Sequence, residues 1–303
     1  MYDIIIIGAG PAGLTAALYA ARAGKTALII EKSTFGGQIT YSPKIENYPG
    51  IPVMTGNEFA DKMVDQVLSR GVEAEIGEVT GIEIKDNRIK TVKTSSGDFD
   101  GKAVIIAVGA KHRKTGAKGE EKFLGSGISF CAVCDGDFYA GKEVAVIGGG
   151  NSALQEAVLL SEKCKKVTMV QNLPYFTGEA STLGVLKSKP NVEFITSVTV
   201  DSFNGDENLK SITLLHSDGE KSELPVDGVF VAIGLAPENK AFEDVASLDK
   251  FGYFDSGEDC VTKTSGIFVA GDCRKKSIRQ ITTASADGSV AALAACNYTD
   301  LLV

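Results

Sequence analysis

The sequence predicts an α/β protein with two three-layer domains, the second inserted into the first. Three observations support this prediction. A strand, a glycine-rich turn, a helix and a second strand follow one another at the start of the sequence, and the same series recurs at an offset of 140 residues. Apolar strand-like segments beyond the second series then indicate a return to the first domain. The length of 303 residues is sufficient for two domains.

The first series has the pattern of a dinucleotide-binding Rossmann unit. Gly8 permits a tight turn, and Gly10 lets backbone amides approach a pyrophosphate. Gly13 lets the helix pack close to the strand, with the helix N-terminus facing the phosphates. Glu31 can accept hydrogen bonds from the ribose hydroxyls. In chain order the parts are a strand at 3–7, the turn Gly8-Ala9-Gly10-Pro11-Ala12-Gly13, a helix at 14–23, a strand at 27–30 and Glu31.

The second series gives the domain boundaries. Its parts are a strand at 144–147, the turn Gly148-Gly149-Gly150-Asn151-Ser152-Ala153, a helix at 153–163 and a strand at 167–170. Further strands are expected at 103–108, 229–233 and 267–270, with a linker at 111–119 and a last helix at 283–298. These segments predict a discontinuous first domain, 1–112 and 238–303, and an inserted, nicotinamide-nucleotide-like domain, 113–237.

Composition excludes several classes of protein. The formal net charge of −8 argues against a nucleic-acid-binding protein. The apolar run at 4–7 is far too short to span a membrane and has no basic segment before it, so we expect neither a membrane anchor nor a signal peptide, and a cytoplasmic location. Six cysteines are too few for a disulfide scaffold. A paired cysteine motif in such a protein indicates redox or metal chemistry.

Cys131 and Cys134 form a C-x-x-C motif immediately before the second series. The two-residue gap lets both sulfurs meet across one helical turn, and a helix N-terminus stabilises thiolates. A zinc site would need two further paired ligands, which the sequence lacks. A thioredoxin-fold domain or a structural pair of buried thiols could also carry this spacing. A redox-active pair is the favoured interpretation, and no metal site is predicted.

Several motifs in this order resemble the low-molecular-weight thioredoxin reductase family over the whole chain. They are the turn at 8–13, Gly36-Gly37-Gln38, the segment Glu46-Asn47-Tyr48-Pro49-Gly50, Cys131-Ala132-Val133-Cys134-Asp135-Gly136, the turn at 148–153, Gly271-Asp272 and Arg279-Gln280. The resemblance implies non-covalent FAD, thioredoxin as partner and a homodimer. It implies that Asp272 binds the ribityl and pyrophosphate region of FAD. The full predicted FAD set is Gly8, Gly10, Pro11, Ala12, Gly13, Glu31, Lys32, Gly37, Gln38, Asn47, Val79, Gly109, Asp272, Arg279, Gln280 and Ile281.

The same resemblance assigns roles around the C-x-x-C motif. Cys134 would be the sulfur nearer the flavin, and Cys131 would attack the protein disulfide. Asp135 is a candidate general acid for the departing thiolate. It could instead cap a helix N-terminus, and the two roles can coexist.

The second glycine turn departs from the family pattern for NADPH. Members that use NADPH carry three arginines that neutralise the 2′-phosphate, but Asn172, Leu173 and Thr177 stand at those positions. Gln171 replaces the acid that an NADH site would want. Either a nicotinamide cofactor binds through other residues, or NADPH is not used. The second interpretation resembles the ferredoxin-dependent flavin thioredoxin reductases, which keep the cysteine pair.

We therefore expect electrons to pass from reduced ferredoxin to FAD, to the cysteine pair and to thioredoxin. An NADPH-driven reductase, a redox-sensing flavoprotein without turnover and a reductase of the ferredoxin–NADP type are the competing hypotheses. Ferredoxin is acidic, so docking would need a basic patch. The candidate patches are Lys111, Arg113, Lys114 and Lys118, and Arg274, Lys275, Lys276 and Arg279. The inserted domain is expected to move on hinges at 111–116 and 234–237.

The other cysteines and both histidines have no paired spacing. Cys164 and Cys296 are expected to pack within helices, Cys273 is the nearest of the four to the cofactor residues in sequence, and Cys260 has no predicted role. His112 is expected in the basic linker, and His216 on an exposed strand position.

Overall fold

The structure is a computed structural model that describes residues 1–42, 45–86 and 88–302. The strands in this part of the chain are β1 (Tyr2–Ile7), β2 (Ala27–Glu31), β3 (Glu73–Ile76), β4 (Val79–Ile84), β5 (Lys90–Thr94), β6 (Gly97–Ile106), β7 (Ala110–His112), β8 (Ile128–Ser129), β9 (Glu143–Ile147), β10 (Lys166–Val170), β11 (Val192–Ile195), β12 (Val198–Gly205), β13 (Leu209–His216), β14 (Lys221–Pro225), β15 (Gly228–Val231), β16 (Leu235–Pro237) and β17 (Ile267–Val269). The α-helices are α1 (Pro11–Arg22), α2 (Gly56–Leu68), α3 (Glu120–Phe123), α4 (Ala132–Asp135), α5 (Asn151–Ser161), α6 (Ala180–Lys187) and α7 (Ile281–Asp300).

The chain folds into two compact units, the second inserted into the first. The first unit comprises Met1–Thr40, Tyr48–Lys111 and Ala236–Val303, and the second comprises Tyr41–Asn47 and His112–Leu235. The short segment Tyr41–Asn47 therefore groups with the second unit, whereas the predicted boundary had placed it in the first. The two remaining crossings lie within one or two residues of the predicted ones.

The first unit is built on a seven-stranded sheet in the order β3-β2-β1-β6-β5-β4, with β17 also paired to β6. Strands β1, β2, β3 and β17 pair in parallel, and β4–β6 form an antiparallel meander. Successive residues of β1 point to opposite faces, so Ile4 and Ile6 pack in one core and Ile5 and Ile7 in the other. The first core also holds α1 and α7, and two covered faces explain why β1 is apolar at successive positions.

Several predicted bounds in the first unit differ from the observed ones, and two of the differences are instructive. The helix predicted at 14–23 begins at Pro11, because the end of the glycine turn forms its first helical turn and proline suits that position. The strand predicted at 103–108 is the second half of β6, which begins at Gly97 and ends at Ile106, ahead of a turn at Gly109 with φ +69°.

The second unit repeats the arrangement on a smaller scale. Its five-stranded sheet has the order β11-β10-β9-β15-β8, and all of its pairings are parallel. Strands β12–β14 form a separate antiparallel sheet. The predicted helix at 153–163 begins at Asn151 and ends at Ser161. One apolar cluster includes α5, and a second lies between the two sheets.

The predicted linker at 111–119 is partly a strand. Strands β7 and β16 form a two-stranded sheet, and the backbone N–H of Arg113 donates to the carbonyl of Gly234 at 3.0 Å. None of the described helices has both the length and the apolar character needed to cross a membrane.

Candidate active site

The first glycine turn is built so closely that side chains are excluded. Gly8 has φ +101°, and a Cβ there would lie 2.5 Å from the carbonyl oxygen of Ala107. A Cβ on Gly13 would lie 1.8 Å from the carbonyl oxygen of Gly8. Gly10 instead faces open space, since no described residue beyond its chain neighbours comes within 4 Å of where its Cβ would lie. The turn therefore packs tightly on its strand side and leaves the N-terminal end of α1 open to a ligand.

The Glu31 carboxylate holds the glycine turn by hydrogen bonds to backbone N–H groups. Its Oε2 accepts the backbone N–H of Ala9 at 2.8 Å, and its Oε1 accepts the N–H of Ser33 at 3.0 Å. The residue is only 8% exposed. Each carboxylate oxygen keeps lone-pair capacity for further donors, so the predicted ribose contact is compatible with these bonds.

A second loop lies against the turn. Gly37 has φ +60°, and a Cβ there would lie 3.2 Å from the Cα of Gly10. Gln38 follows in a 3-10 helix, and its Nε2 donates to the carbonyl of Ala110 at 2.6 Å. A Cβ on Gly109 would lie 4.0 Å from that same Nε2. Tertiary folding thus brings together the glycine turn after β1, the loop at Gly37 and Gln38, and the segment at Gly109 and Ala110 after β6.

Asp272 adds an unsatisfied acid on the same unit. It lies in the 3-10 helix Gly271–Cys273, and a Cβ on Gly271 would lie 2.8 Å from the Cβ of Ala12. Its Oδ1 is buried and has no hydrogen-bond partner among the described residues. Burial raises the pKa of Asp272 to about 6, against the attraction of Lys276 and Arg279. A buried carboxylate oxygen without a donor from the protein can accept a hydrogen bond from a bound ligand.

These features fit FAD. The open helix end offers backbone N–H groups to a pyrophosphate, the bare glycines allow close approach, and Asp272 Oδ1 can accept from a ribityl hydroxyl. Arg279 lies beside this acid, with Nε 3.5 Å from the Asp272 carbonyl and its guanidinium 4.4 Å from the centre of the Tyr253 ring.

The other predicted FAD residues take varied positions. Pro11 and Ala12 open α1, and Ile281 opens α7 just after Gln280, whose N–H donates to Thr283 Oγ1 at 3.1 Å. Lys32 forms an exposed ion pair with Glu238 at 2.5 Å, and Val79 opens β4 and packs against an apolar core. Asn47 is exposed and belongs to the segment that groups with the second unit. The flavin contacts of all these residues remain predictions.

A buried ion cluster around Asp287 was not predicted. Asp287 Oδ2 accepts the N–H of Gly271 at 3.0 Å, Arg274 Nε at 2.8 Å and Lys276 Nζ at 2.8 Å, while its Oδ1 accepts Arg274 Nη2 at 2.8 Å. Burial works against ionisation, but the bonds from Arg274 and Lys276 lower the pKa of Asp287. The cluster anchors α7 to the turn that carries Asp272.

This cluster corrects the second proposed basic patch. Arg274 is 2% exposed and the side chain of Lys276 is 8% exposed, so neither cation is presented to a partner protein. Lys275 is exposed and lies 3.7 Å from Asp255. The sequence shows four basic residues close together, but alternate ones turn inward to the carboxylate of Asp287.

Cys131 and Cys134 lie at the ends of one short helical turn and are joined by a disulfide, with their Cα atoms 5.3 Å apart. Cys131 is the N-cap residue of α4, and its sulfur accepts the backbone N–H of Cys134 at 3.2 Å. Val133 between them is 60% exposed. The helix is formed by the motif itself, as the spacing predicts.

Asp135 is the last residue of α4 and does not cap a helix with its side chain. The capping role is therefore wrong. Its Oδ2 instead accepts the hydroxyl of Ser129 at 2.6 Å, and its buried Oδ1 has no partner in the described part of the chain. Burial raises the pKa of Asp135, while the Ser129 bond lowers it. A carboxyl with a raised pKa keeps its proton to a higher pH than an ordinary aspartate, which favours a role as general acid.

The second glycine turn reproduces the backbone of the first. Gly8 N–H donates to Ile30 O at 2.8 Å and Gly148 N–H to Val170 O at 2.9 Å. A Cβ on Gly148 would lie 2.4 Å from the Ala232 carbonyl oxygen, close to the value for Gly8. The duplication inferred from the sequence is thus visible as matched hydrogen bonds.

The ribose end of the second turn is different. Gln171 is 6% exposed, and a Cβ on Gly149 would lie 2.2 Å from its Nε2. That amide donates to the carbonyl of Tyr175 at 3.3 Å. Thr177 and Gly178 donate their backbone N–H groups to the Gly149 carbonyl at 2.8 and 3.0 Å. The loop at 171–178, which contains no charged residue, is folded onto the turn.

The remaining candidates have packing positions. Cys164, Cys260, Cys273 and Cys296 are all buried free thiols, and burial raises the pKa of Cys273 to about 12. Cys164 follows α5 instead of lying within it, which corrects its predicted place. His112 is not in an extended linker but at the end of β7, stacked on Phe130 with ring centres 4.8 Å apart, and burial lowers its pKa to about 4. His216 is partly buried on β13, with Nε2 2.7 Å from Ser222 Oγ.

Comparison with known proteins agrees with this geometry. Residues 2–288 match the family described as pyridine nucleotide-disulphide oxidoreductase. The chain is 42% identical to a thioredoxin reductase of Listeria innocua and 41% identical to one of Bacillus subtilis, covering all of this chain and 95% and 96% of theirs. A crystal structure of thioredoxin reductase from Streptococcus pyogenes superposes with a TM-score of 0.93 at 37% identity, over 99% of both chains. The chain therefore belongs to the pyridine nucleotide-disulphide oxidoreductase family, among the FAD-dependent disulfide reductases that act on thioredoxin.

Proposed function

We propose that this chain reduces thioredoxin through FAD and the Cys131–Cys134 pair with electrons from reduced ferredoxin instead of NADPH. The choice of donor rests on the loop at the ribose end of the second glycine turn. The loop that would recognise the 2′-phosphate holds no cation, and Gln171 is seated against Gly149 where a nucleotide ribose would approach the turn.

The charge argument concerns the adenosine end of NADPH. Its 2′-phosphate bears roughly two negative charges near neutral pH, and such groups are usually held by charge-assisted hydrogen bonds from arginine. Asn172, Leu173 and Thr177 supply none, and the next charged residue, Glu179, is an acid. The N–H of Glu179 is already donated to Asn151 Oδ1 at 2.7 Å. An NADPH phosphate at this loop would lose its hydration without gaining a counter-charge.

The energetics permit ferredoxin as the donor. A low-potential ferredoxin near −400 mV and a thioredoxin near −270 mV differ by about 130 mV, or about 6 kcal/mol for two electrons. When bound, FAD supplies the chemistry that converts one-electron donation into two-electron reduction of a disulfide.

The protein's own residues account for the transfer to thioredoxin. In the reduced enzyme, the Cys131 thiolate attacks one sulfur of the thioredoxin disulfide, the S–S bond breaks, and the leaving sulfur takes a proton from Asp135. The Cys134 thiol then returns a proton to Asp135 and attacks Cys131. This second step reforms the Cys131–Cys134 disulfide and releases the remaining thioredoxin thiolate. Two electrons leave the cysteine pair and two enter thioredoxin.

Each step places a different demand on the cysteine pair. It must be near the flavin to be reduced and open to solvent to meet a protein disulfide. We therefore also propose that the second unit moves, with hinges at the chain crossings near His112 and Leu235. As the family resemblance implies, we expect the functional protein to be a homodimer.

An NADPH-driven reductase is the second candidate. Its support is the matched backbone of the second glycine turn, in which the N–H of Leu154 donates to the Gly150 carbonyl at 3.0 Å, as Leu14 does to Gly10 at 2.9 Å. A Cβ on Gly150 would come no closer than 3.9 Å to its nearest described neighbour, Thr177 Oγ1, so the pyrophosphate end of the turn is open.

The two candidates are separated by an anaerobic donor assay. The purified holoprotein is mixed in turn with reduced ferredoxin, NADPH and NADH, flavin absorbance is followed, and thioredoxin thiols are counted. We expect turnover with ferredoxin and little with either nucleotide. Efficient turnover at micromolar NADPH would overturn the donor assignment and leave the disulfide reductase standing.

A matched pair of variants sharpens the assay. Asn172→Arg with Thr177→Arg restores two cations beside the turn and should lower the Michaelis constant for NADPH by about tenfold or more, with little effect on NADH. Asn172→Gln with Thr177→Gln adds bulk without charge and should leave NADPH use unchanged. Equal effects of both pairs would contradict the charge argument.

Exposed basic residues on each of the two units are candidates for a surface that binds ferredoxin. Within the first proposed patch, Arg113, Lys114 and Lys118 are exposed on the second unit, although Lys114 pairs with Glu121 at 2.5 Å. On the first unit Lys275 is exposed. Turnover with ferredoxin should fall with rising salt if such a surface guides docking.

A further inference from the structure

Ser129 forms hydrogen bonds at both ends of α4, the helical turn that carries the cysteine pair. It lies at the end of β8, where it is paired with Phe230 of β15, and it is 6% exposed. Its hydroxyl donates to Asp135 Oδ2 at 2.6 Å, and its oxygen accepts the backbone N–H of Cys131 at 3.1 Å. One buried hydroxyl thus contacts both the residue before α4 and the acid at its end.

The Ser129 hydroxyl has one hydrogen to donate, and only one acceptor lies at a short distance. The Cys131 carbonyl is 3.5 Å from Ser129 Oγ, at the outer limit of hydrogen bonding, whereas Asp135 Oδ2 is 2.6 Å away. The Cys131 N–H occupies the acceptor side of the oxygen. The backbone therefore orients the hydroxyl toward Asp135, and the serine acts as a donor to that carboxyl.

This arrangement makes the two oxygens of Asp135 unequal. Oδ2 already accepts a hydrogen, so a proton bound there would compete with the Ser129 bond. Oδ1 is buried and has no partner within residues 1–42, 45–86 and 88–302. When the carboxyl is protonated, the proton is accordingly favoured on Oδ1, which no hydrogen bond within those residues occupies. Because Oδ1 is buried in this structure, donation to a substrate sulfur requires the movement of the second unit proposed above.

We propose that Ser129 is a positioning residue that directs the acidic proton of Asp135 onto Oδ1, from which it is given to the sulfur leaving the substrate disulfide. This inference rests on the proposed thioredoxin reduction. In the step concerned, Cys131 forms a new S–S bond, the substrate S–S bond breaks, and the proton moves from Oδ1 to the leaving sulfur. Ser129 keeps its own proton throughout.

The test uses the half-reaction from the reduced protein to thioredoxin, which needs neither ferredoxin nor a nicotinamide nucleotide. The full-length holoprotein is reduced anaerobically with a limiting amount of dithionite and mixed with oxidised thioredoxin, and the pre-steady-state rate of disulfide formation is measured across pH. An aromatic disulfide such as 5,5′-dithiobis(2-nitrobenzoate) is the second substrate. Its leaving thiolate is the anion of a strongly acidic thiol and departs without a proton donor.

Asp135→Asn should slow thioredoxin reduction by about a hundredfold or more, the range for loss of a general acid. Ser129→Ala should slow it by about tenfold, consistent with loss of a hydrogen bond to a charged group. Neither variant should slow the aromatic disulfide comparably. Ser129→Ala also removes a bond that lowers the pKa of Asp135, so the alkaline fall in rate should move to higher pH.

Two controls separate positioning from a packing role. Threonine and valine have nearly the same shape, and both suit a strand, but only threonine has a hydroxyl. Ser129→Thr should therefore keep the rate and the pH profile of the parent protein, and Ser129→Val should not. Ser161 is similarly buried, at 7% exposure, and its hydroxyl donates to the Val158 carbonyl at 2.6 Å. Ser161→Ala should leave the pH profile unchanged.

The outcomes discriminate between the inference and the function on which it rests. If the reduced parent protein does not reduce thioredoxin, the proposed function and this inference both fail. If Asp135→Asn is slow but Ser129→Ala matches the parent in rate and pH profile, only the inference fails. It also fails if Ser129→Val equals Ser129→Thr, or if Ser129→Ala slows both disulfides to the same extent.

Discussion

Replacing Asp287 by asparagine should destabilise the first unit strongly, although the two side chains have nearly the same shape. The carboxylate receives four hydrogen bonds, from the Gly271 N–H, from Nε and Nη2 of Arg274 and from Nζ of Lys276. The side chains of Asp287, Arg274 and Lys276 are 8%, 3% and 8% exposed. An asparagine carries no charge, and its NH2 group would face donors.

The expected loss follows from two buried cations losing their counter-ion. Removing one member of a buried ion pair typically costs about 3–5 kcal/mol, because the partner charge is left unpaired. Glu258 lies 3.6 Å from Arg274, but it is 97% exposed and too well solvated to compensate. For a domain of this size, 1 kcal/mol shifts the melting temperature by roughly 2–4 °C. The variant should therefore melt about 6–20 °C lower.

The assay is thermal unfolding of the holoprotein and the flavin-free protein, followed by circular dichroism and flavin fluorescence. The pKa of Asp287 is lowered in the folded state, so its contribution is present above the ordinary aspartate value and is lost as pH falls through the folded value. The gap between parent and Asp287→Asn should accordingly narrow on acidification. Asp98→Asn, which breaks an exposed pair with Lys93 in the same unit, is the control and should melt like the parent. A melting temperature within about 2 °C of the parent for Asp287→Asn would refute the reasoning.

Further predictions concern the flavin, the cysteines and the donor. Asp272→Ala should weaken FAD retention, measured as flavin released on ultrafiltration, because a buried acceptor is removed; full retention would contradict its assignment. Cys134→Ser should abolish thioredoxin reduction, and Cys131→Ser should add one thiol, that of Cys134, to those that titrate in the oxidised parent protein. Parent-level turnover in either variant would show that the pair is not the redox centre. Lys275→Glu should slow only the ferredoxin step at low salt, whereas Lys276→Glu should lower the melting temperature by breaking the Asp287 cluster.

Some parts of the candidate site could be predicted because local sequence imposes them. Gly8 and Gly148 must be glycine, since each has a positive φ and a carbonyl oxygen where a Cβ would lie. Cys131 and Cys134 meet because a two-residue gap closes one helical turn. These constraints act over a few residues, so a motif is sufficient to recognise them.

Other parts depended on long-range folding. The pattern of basic residues at 274–279 indicates a surface patch, yet Arg274 and Lys276 turn inward because α7 brings Asp287 beside them. Asp135 resembles a helix cap in sequence, but β8 places Ser129 within 2.6 Å of it. No local signal marks Ser129 or Asp287, since each acts on a residue that another element positions.

The sequence by itself determined that the chain has two duplicated nucleotide-type units, a cysteine pair between them and an uncharged loop where phosphate recognition is expected. Those properties depend on residue type and spacing, which the chain carries in any conformation. Only the tertiary structure decided which oxygen of Asp135 accepts the Ser129 hydroxyl and which cations are buried. It also decided that the Gln171 side chain packs against the backbone of Gly149. The physical reason is that burial and hydrogen-bond partners are set by segments distant in sequence, and these set the protonation and accessibility of the reactive groups.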